Sequence, residues 1–336
     1  MKTFRYIALS LLVLIILFVL VGLVLPNRYK IEAKAMVQRS PEVAYFHALD
    51  FNNRPQWDPW IEEDPRAHTY TKMTENGMGS VWEWDGEKVG KGKITVRSVN
   101  IHEQIRSTIH FMGNGTDSAR MVWNFNPNAG GTELTWQMKG EWGNFFARWA
   151  GLFMKGDIIK SFQKGLNNFK NYIERLPNWP GRTSAIRVKE MPEMRAVVVE
   201  KQSSMEEIAK SMGEAYGELM EYLTRNDVIP AGPPFARYTG AYESGQPLRF
   251  EAGFPVEQEI PSESNISFKI YPAGRAITAQ HTGPYQSLFI TYNKVIKHAM
   301  EKNLKRKGEF WETYLTDPQT EPDSTLWVTM VYYPIE

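Results

Sequence analysis

The chain has 336 residues, enough for two domains of ordinary size and too many for one average core. Lysine and arginine number 39 against 38 aspartates and glutamates, so the chain carries no basic excess of the kind that neutralises nucleic-acid phosphates. Cysteine is absent, which excludes disulfide scaffolds, thiolate nucleophiles and cysteine-ligated zinc, while aromatic residues, at 13%, are numerous enough to line apolar cavities as well as to build cores.

From Tyr6 to Leu25 no residue is charged. At 1.5 Å per residue such a helix would cover a hydrocarbon layer of about 30 Å, with Tyr6 and Tyr29 near the headgroup levels. The run exceeds the apolar stretch of a signal peptide, and no small-x-small cleavage site follows it directly. Residues 1–27 are therefore expected to be a retained single-pass membrane anchor, with the lipid bilayer as a partner. Lys2 and Arg5 precede the run and Arg28, Lys30 and Lys34 follow it, so the charge rule assigns no orientation.

Residues 28–177 read as one α+β domain. Ser40-Pro41-Glu42 is a helix start, with a capping residue, a proline at the first position and an acid in the first turn. The segment 51–65, FNNRPQWDPWIEEDP, holds too many Pro and Asn residues for long regular structure. After it the apolar period becomes two: Trp82 and Trp84, then Ile105, Ile109 and Phe111, then Met121, Trp123 and Phe125, then Leu134, Trp136 and Met138. Glu83, Asp85 and Glu87 alternate with the first pair and are expected on a solvated face. Asn126–Gly131 reads as a turn. Ile158, Ile159, Phe162, Leu166, Phe169, Tyr172 and Ile173 recur at helical spacing, and Leu176-Pro177 ends that helix. His47, His68, His102 and His110 show no metal spacing, so no metal and no cofactor is expected.

The pieces SPEVAYFHALDFNNRPQWDPW, GTELTW and FQKGLNNFKNYIE make this segment resemble the polyketide cyclase/START-like (SRPBCC) superfamily. The resemblance implies a helix-grip fold, an antiparallel sheet around one long helix with an apolar pocket between them. It implies no fixed catalytic motif. Trp57 and Trp60 in the mouth loop and Trp82, Trp84, Trp123 and Trp136 on strands are candidates to line that pocket. Each can equally be ordinary core, because the sheet face that the helix covers depends on register.

Residues 178–185 read as a Pro/Gly-containing linker. Beyond it, residues 186–336 contain an internal repeat. Pro192–Ala196 matches Pro272–Ala276, Phe235–Tyr238 matches Trp311–Tyr314, and Pro255–Glu257 matches Pro334–Glu336. Each half reads strand, helix, strand, strand, with a capping box Ser203-x-x-Glu206 opening the first helix. GPPFARYTG, AGFPV, QHTGPYQSL, FWETYLTDP and VYYPI make the segment resemble the GyrI-like (AraC effector-binding type) domain. The resemblance implies a central cleft for amphipathic, often cationic molecules. It singles out Glu312 as the acid of the cleft, with Trp311, Tyr314, Tyr238 and Tyr285 as lining. The equivalent of Glu312 in the first half is Ala236, so the repeat itself does not demand an acid there. His281, in His281-Thr282-Gly283-Pro284-Tyr285, reads as a helix-start device.

These observations predict a membrane-anchored binder or sensor of small hydrophobic or amphipathic molecules, of α+β class, with no nucleic-acid partner. A hydrolase or cyclase using Glu312 as general base, with Tyr314 or His281 assisting, is the alternative. A signalling scaffold for another membrane protein is a third reading. The basic cluster Lys302, Lys305, Arg306 and Lys307 suits a helix C-terminus, and Asn114-Gly115-Thr116 and Asn265-Ile266-Ser267 match the loose glycosylation pattern.

Overall fold

The computed structural model describes residues 2–112, 116–178, 180–204, 207–239 and 246–336. The sequon at Asn114, Trp179 of the linker and Glu206 of the expected capping box lie outside the described residues. Helix α1 spans Lys2–Val24. Among the described residues no helix is long and apolar enough to cross a membrane. The expected anchor over residues 1–27, the single-pass membrane localisation and the bilayer as a partner are corrected on this finding.

The chain divides into two compact units, Met1–Met73 with Gly77–Leu176, and Thr74–Asn76 with Pro177–Glu336. In the first unit, β1 (Arg28–Val37) leads to α2 (Pro41–Leu49), a 3₁₀ turn Phe51–Gln56 and the short α3 (Pro59–Glu63). Then come β2 (His68–Lys72), β3 (Val81–Gly86), β4 (Gly90–Asn100), β5 (Gln104–Met112), β6 (Thr116–Asn128) and β7 (Gly131–Glu141), and last the 31-residue α4 (Phe145–Arg175). The seven strands form one antiparallel sheet in the order β1-β7-β6-β5-β4-β3-β2. Period two works as expected: Trp82, Trp84, Ile105, Ile109, Met121, Trp123, Phe125, Leu134, Trp136 and Met138 are all buried. Phe111, near the end of β5, is exposed instead. Glu83 and Asp85 point outward and pair with Lys93 and Lys91 on the neighbouring strand.

The β6–β7 hairpin is tighter than the sequence suggests. Asn128 pairs with Gly131, which leaves Ala129-Gly130 as the loop and puts Asn126 and Pro127 inside β6. Gly131 has φ +135°, and a Cβ there would stand 2.0 Å from the Val37 carbonyl oxygen, so only glycine fits. Helix α4 starts at Phe145, well before its apolar stripe, with Asn144 Oδ1 accepting from the Ala147 N–H at 2.9 Å. The buried stripe is Phe162, Gly165, Leu166, Phe169 and Ile173. Arg39, just past β1, closes the other end: Nε donates to Ile173 O at 3.0 Å, and Nη2 to Glu174 O and Leu176 O at 2.9 and 2.6 Å. These are carbonyls that a helix end leaves without intrahelical partners.

The second unit comprises β8 (Arg182–Thr183), β9 (Arg187–Met191), β10 (Met194–Ser203), α5 (Ile208–Arg225), β11 (Phe235–Thr239) and β12 (Leu248–Pro255), then β13 (Ile266–Tyr271), β14 (Gly274–Thr282), α6 (Leu288–Glu301), β15 (Trp311–Tyr314) and β16 (Val328–Ile335). Its sheet runs β13-β10-β12-β11-β15-β16-β14-β8, with β9 also paired to β14. The repeat is therefore larger than the sequence reading allows, because each half begins with an additional strand, β9 or β13. These two strands are exchanged: β9 pairs with β14 of the second half, and β13 with β10 of the first. The pairs Met194↔Tyr271 and Gly274↔Met191 are images of each other under the repeat. Helix α5 buries Ala215, Leu219, Tyr222 and Leu223 against Val197, Val199, Phe250, Ala252 and Phe254 of β10 and β12. The first turn of α5 has no side-chain cap, although Ser204 Oγ accepts from the Glu207 N–H at 3.3 Å.

Candidate functional site

At the middle of the second sheet β11 and β15 pair antiparallel, with Ala236 directly opposite Glu312. The two residues are also equivalent in the repeat, so the pseudo-twofold axis runs through this pair. Glu312 is only 2% exposed. It leaves the sheet on the side of α5 and α6, as its contacts show. Oε1 accepts a hydrogen bond from the hydroxyl of Tyr292 on α6. Oε2 accepts from Tyr314 at 2.5 Å and from Tyr238 at 3.4 Å. Further rings surround these three. Tyr285 lies edge-on to Tyr314 with centroids 5.4 Å apart and is 4.8 Å from Trp327, and Tyr216 of α5 is 6.3 Å from Tyr314. The Tyr216 hydroxyl donates to Phe235 O at 2.8 Å.

Burial pushes the Glu312 carboxyl above the ordinary carboxylate range, and hydrogen bonds from three phenols recover only part of that cost. Burial, and after it the charge of Glu312, drives Tyr238, Tyr292 and Tyr314 well above 10, so these hydroxyls stay protonated and act as donors. A second buried acid, Glu251 of β12, shows the contrast. Arg237 Nη1 lies 2.7 Å from it, Lys269 Nζ 2.6 Å and the Tyr271 hydroxyl 3.0 Å. Burial raises its pKa, but the hydrogen bond from Lys269 and the charge of Arg237 outweigh that and hold it low. Glu251 is neutralised by the chain itself. The groups that act on Glu312 among the described residues are neutral phenols.

The structure brings Glu312, Tyr314, Tyr238 and Tyr285 together and separates Trp311 from them. Adjacent residues of a strand point to opposite faces, and Trp311 packs on the far face against Phe235, Tyr271 and Tyr332 at 6.0, 6.4 and 5.1 Å. Sequence reasoning missed Tyr292, a residue of α6. A tyrosine in a buried stripe needs a hydroxyl partner, and that was the available signal. His281 does not act on the acid. Its Nδ1 is 2.8 Å from Thr291 Oγ1 and its Nε2 3.0 Å from Ser287 Oγ. Ser287 Oγ in turn lies 2.7 Å from Pro284 O and 3.0 Å from Pro180 O, which ties the start of α6 to the linker.

In the first unit Trp82, Trp84, Trp123 and Trp136 all lie on the sheet face that α4 covers. Trp123 and Trp136 are register partners stacked at 4.9 Å, and Phe169 and Phe162 of α4 pack on them at 5.3 and 4.3 Å. Trp57 lies among them, and Trp60, partly exposed, covers Trp136 and Phe162 at 6.1 and 5.7 Å. Arg54, which the sequence reading passed over, is buried with Asp58. Its Nε is 2.8 Å from Asp58 Oδ2, and Asp58 Oδ1 accepts from the Trp60 and Ile61 N–H groups as the cap of α3. An open cleft of about 840 Å³ lies between the mouth segment, including Trp57 and Asp58, and Asn168 and Asn171 of α4.

Residues 28–174 match the family model described as polyketide cyclase / dehydrase and lipid transport, and residues 184–336 match that of the GyrI-like small molecule binding domain. The domain content is thus a polyketide-cyclase-type segment followed by a GyrI-like one, and small-molecule binding is the property these domains share. No curated protein matches the chain. Among solved structures it is similar to the EcmrR C-terminal domain, with 21% identity, a TM-score of 0.39, and 48% of this chain and 99% of that one covered. It is also similar to EcmrR in an EcmrR–DNA complex, with 18% identity, a TM-score of 0.41, and 58% and 73% covered. A hydrolase from Listeria innocua has 11% identity, a TM-score of 0.36, and 45% and 91% covered.

Proposed function

We propose that residues 186–336 bind small amphipathic cations in the tyrosine-lined site around Glu312, and that residues 28–177 hold an apolar ligand. The observation that carries the first part is the buried Glu312 carboxyl, whose partners are neutral phenols. A carboxylate withdrawn from water without a counter-charge costs stability. The fold does not require it, since Ala236 fills the equivalent position directly opposite. A bound organic cation recovers that cost by Coulomb attraction, and the faces of Tyr238, Tyr285, Tyr292 and Tyr314 add cation–π attraction. The test is a charge-reversed pair of equal shape. Calorimetric titration of the chain with tetraphenylphosphonium should show saturable binding. Tetraphenylborate should show none, and equal affinity for the two ions would refute the assignment.

A further inference from the structure

We infer that His281 is a positioning residue of the proposed cation site: together with residues 180–183, near the start of the second unit, it fixes the first turns of α6 and so seats Tyr292 on Glu312. This rests on the cation reading of residues 186–336 and extends the support of that site to side chains that do not touch the acid.

His281, Ser287 and Thr291 are 0% exposed, and a chain of hydrogen bonds runs through them in one direction. Ser287 Oγ is 2.7 Å from Pro284 O and 3.0 Å from Pro180 O. Carbonyls only accept, so the Ser287 proton goes to them, and its oxygen accepts from His281 Nε2–H at 3.0 Å. Nδ1 is then the acceptor of the ring, which assigns the tautomer. Thr291 Oγ1 donates to it at 2.8 Å, and Thr183 Oγ1 donates to Thr291 Oγ1 at 2.8 Å. Both ends of the chain, Thr183 and Pro180, lie in residues 180–183. Gly181 packs so closely between them that a Cβ there would stand 2.9 Å from Ser287 Oγ and 3.0 Å from His281 Cε1. Removing one link leaves a buried polar group without its partner, which is costly.

Thr291 is the residue before Tyr292 on α6. The Thr291 hydroxyl meets β14 and β8, and the Tyr292 hydroxyl reaches Glu312 on β15. The same turn of helix is thus pinned by the His281 chain on one side and delivers a donor to the acid on the other. A displacement of α6 by about 1 Å takes that phenol out of hydrogen-bond range. The first half of the repeat supplies the contrast. Its positions equivalent to His281, Ser287 and Thr291 hold Lys201, Glu207 and Ser211. Lys201 Nζ pairs instead with Glu218 of α5 at 2.9 Å. Helix α5 starts without a side-chain cap, and among the described residues the donors to Glu312 come from β11, α6 and β15, not from α5. The repeat therefore does not demand the chain, which accompanies the helix that serves the acid.

The experiment is a double-mutant cycle read by calorimetric titration of the full chain with tetraphenylphosphonium. Thr183→Val keeps the shape of a side chain outside the site and removes the first donor of the chain. It should weaken binding about fivefold in the parent and leave it unchanged in Tyr292→Phe, where no hydroxyl remains to be positioned. Thr291→Ser, which retains the hydroxyl, should bind as the parent does, and Thr291→Val as weakly as Thr183→Val. By reciprocity the cation should slow amide exchange over residues 180–184 in the parent but not in Tyr292→Phe, and this readout decides if Thr183→Val does not fold. Parent-like or tighter binding in Thr183→Val, an equal loss in both backgrounds, or exchange over 180–184 that does not respond to the cation overturns the inference and leaves the cation reading standing. A parent chain that binds no cation overturns the cation reading and this inference with it.

Discussion

Glu312→Gln keeps the size of the side chain and an acceptor for the tyrosine hydroxyls while removing the charge. The phenyl groups of tetraphenylphosphonium hold its charge centre about 6 Å from the carboxylate. At an effective dielectric of about 20 this gives 332/(20 × 6), or about 3 kcal/mol, which is on the order of a hundredfold in affinity. The effect has a definite pH dependence. Burial raises the carboxyl pKa above the ordinary carboxylate range, and a bound cation favours the charged form, so at a pH below that raised pKa binding is linked to proton release. Affinity in the parent should rise with pH until the pH passes that raised pKa and then level off. In Glu312→Gln it should be flat. Titration calorimetry of both proteins from pH 5 to pH 9 measures the ratio and the proton release together. A Glu312→Gln variant that binds the cation within about threefold of the parent at pH 8 would falsify the electrostatic argument.

Three further outcomes are expected. Burial lowers the His47 pKa from 6.5 to about 4, so the unfolded chain takes up a proton that the folded one refuses. The first unit should lose stability as pH falls below 6.5, by about 3 kcal/mol once pH is below both values, and thermal melts of His47→Gln should lack that component. Arg39→Ala strips three carbonyls at the end of α4 of their donor and should lower the stability of the first unit by about 1–3 kcal/mol in denaturant unfolding; an unchanged midpoint would show that water caps the helix as well. Gly165→Ala places a methyl 2.9 Å from Pro59 Cδ and 3.0 Å from Trp136 Cζ3. It should cost about 1–3 kcal/mol and redshift tryptophan emission as α4 moves off the sheet.

Much of the first unit is legible in the sequence because its strands are half-buried, and alternation at Trp82/Trp84, Met121/Trp123/Phe125 and Leu134/Trp136/Met138 sets the inner face directly. The start of α4 is not, since its first turns carry no buried stripe and only Asn144 marks the cap. The exchange of β9 and β13 between the repeats is a long-range pairing with no local signature. Of the site, Glu312 and Tyr314 are readable as neighbours on one face of a short strand, and the same alternation already places Trp311 on the other. Tyr292 comes from a helix, so only the tertiary fold brings it to Glu312. Arg54 and Asp58 stand at helical spacing in a segment rich in Pro and Asn, and their pairing follows from burial, which one sequence does not reveal. The N-terminal run of uncharged residues suggests a membrane anchor, but among the described residues no helix is long and apolar enough to cross a membrane.

The axis through Ala236 and Glu312 also bears on the origin of the site. An assembly of two separate, identical half-domains would place the same residue on both sides of that axis. Two glutamates facing each other there would repel, and two alanines would hold no charge. Once the halves were joined in one chain, each could change alone, and a single buried acid at the centre of symmetry became attainable. The binding chemistry proposed for this unit requires two halves that differ at this position, as Ala236 and Glu312 do.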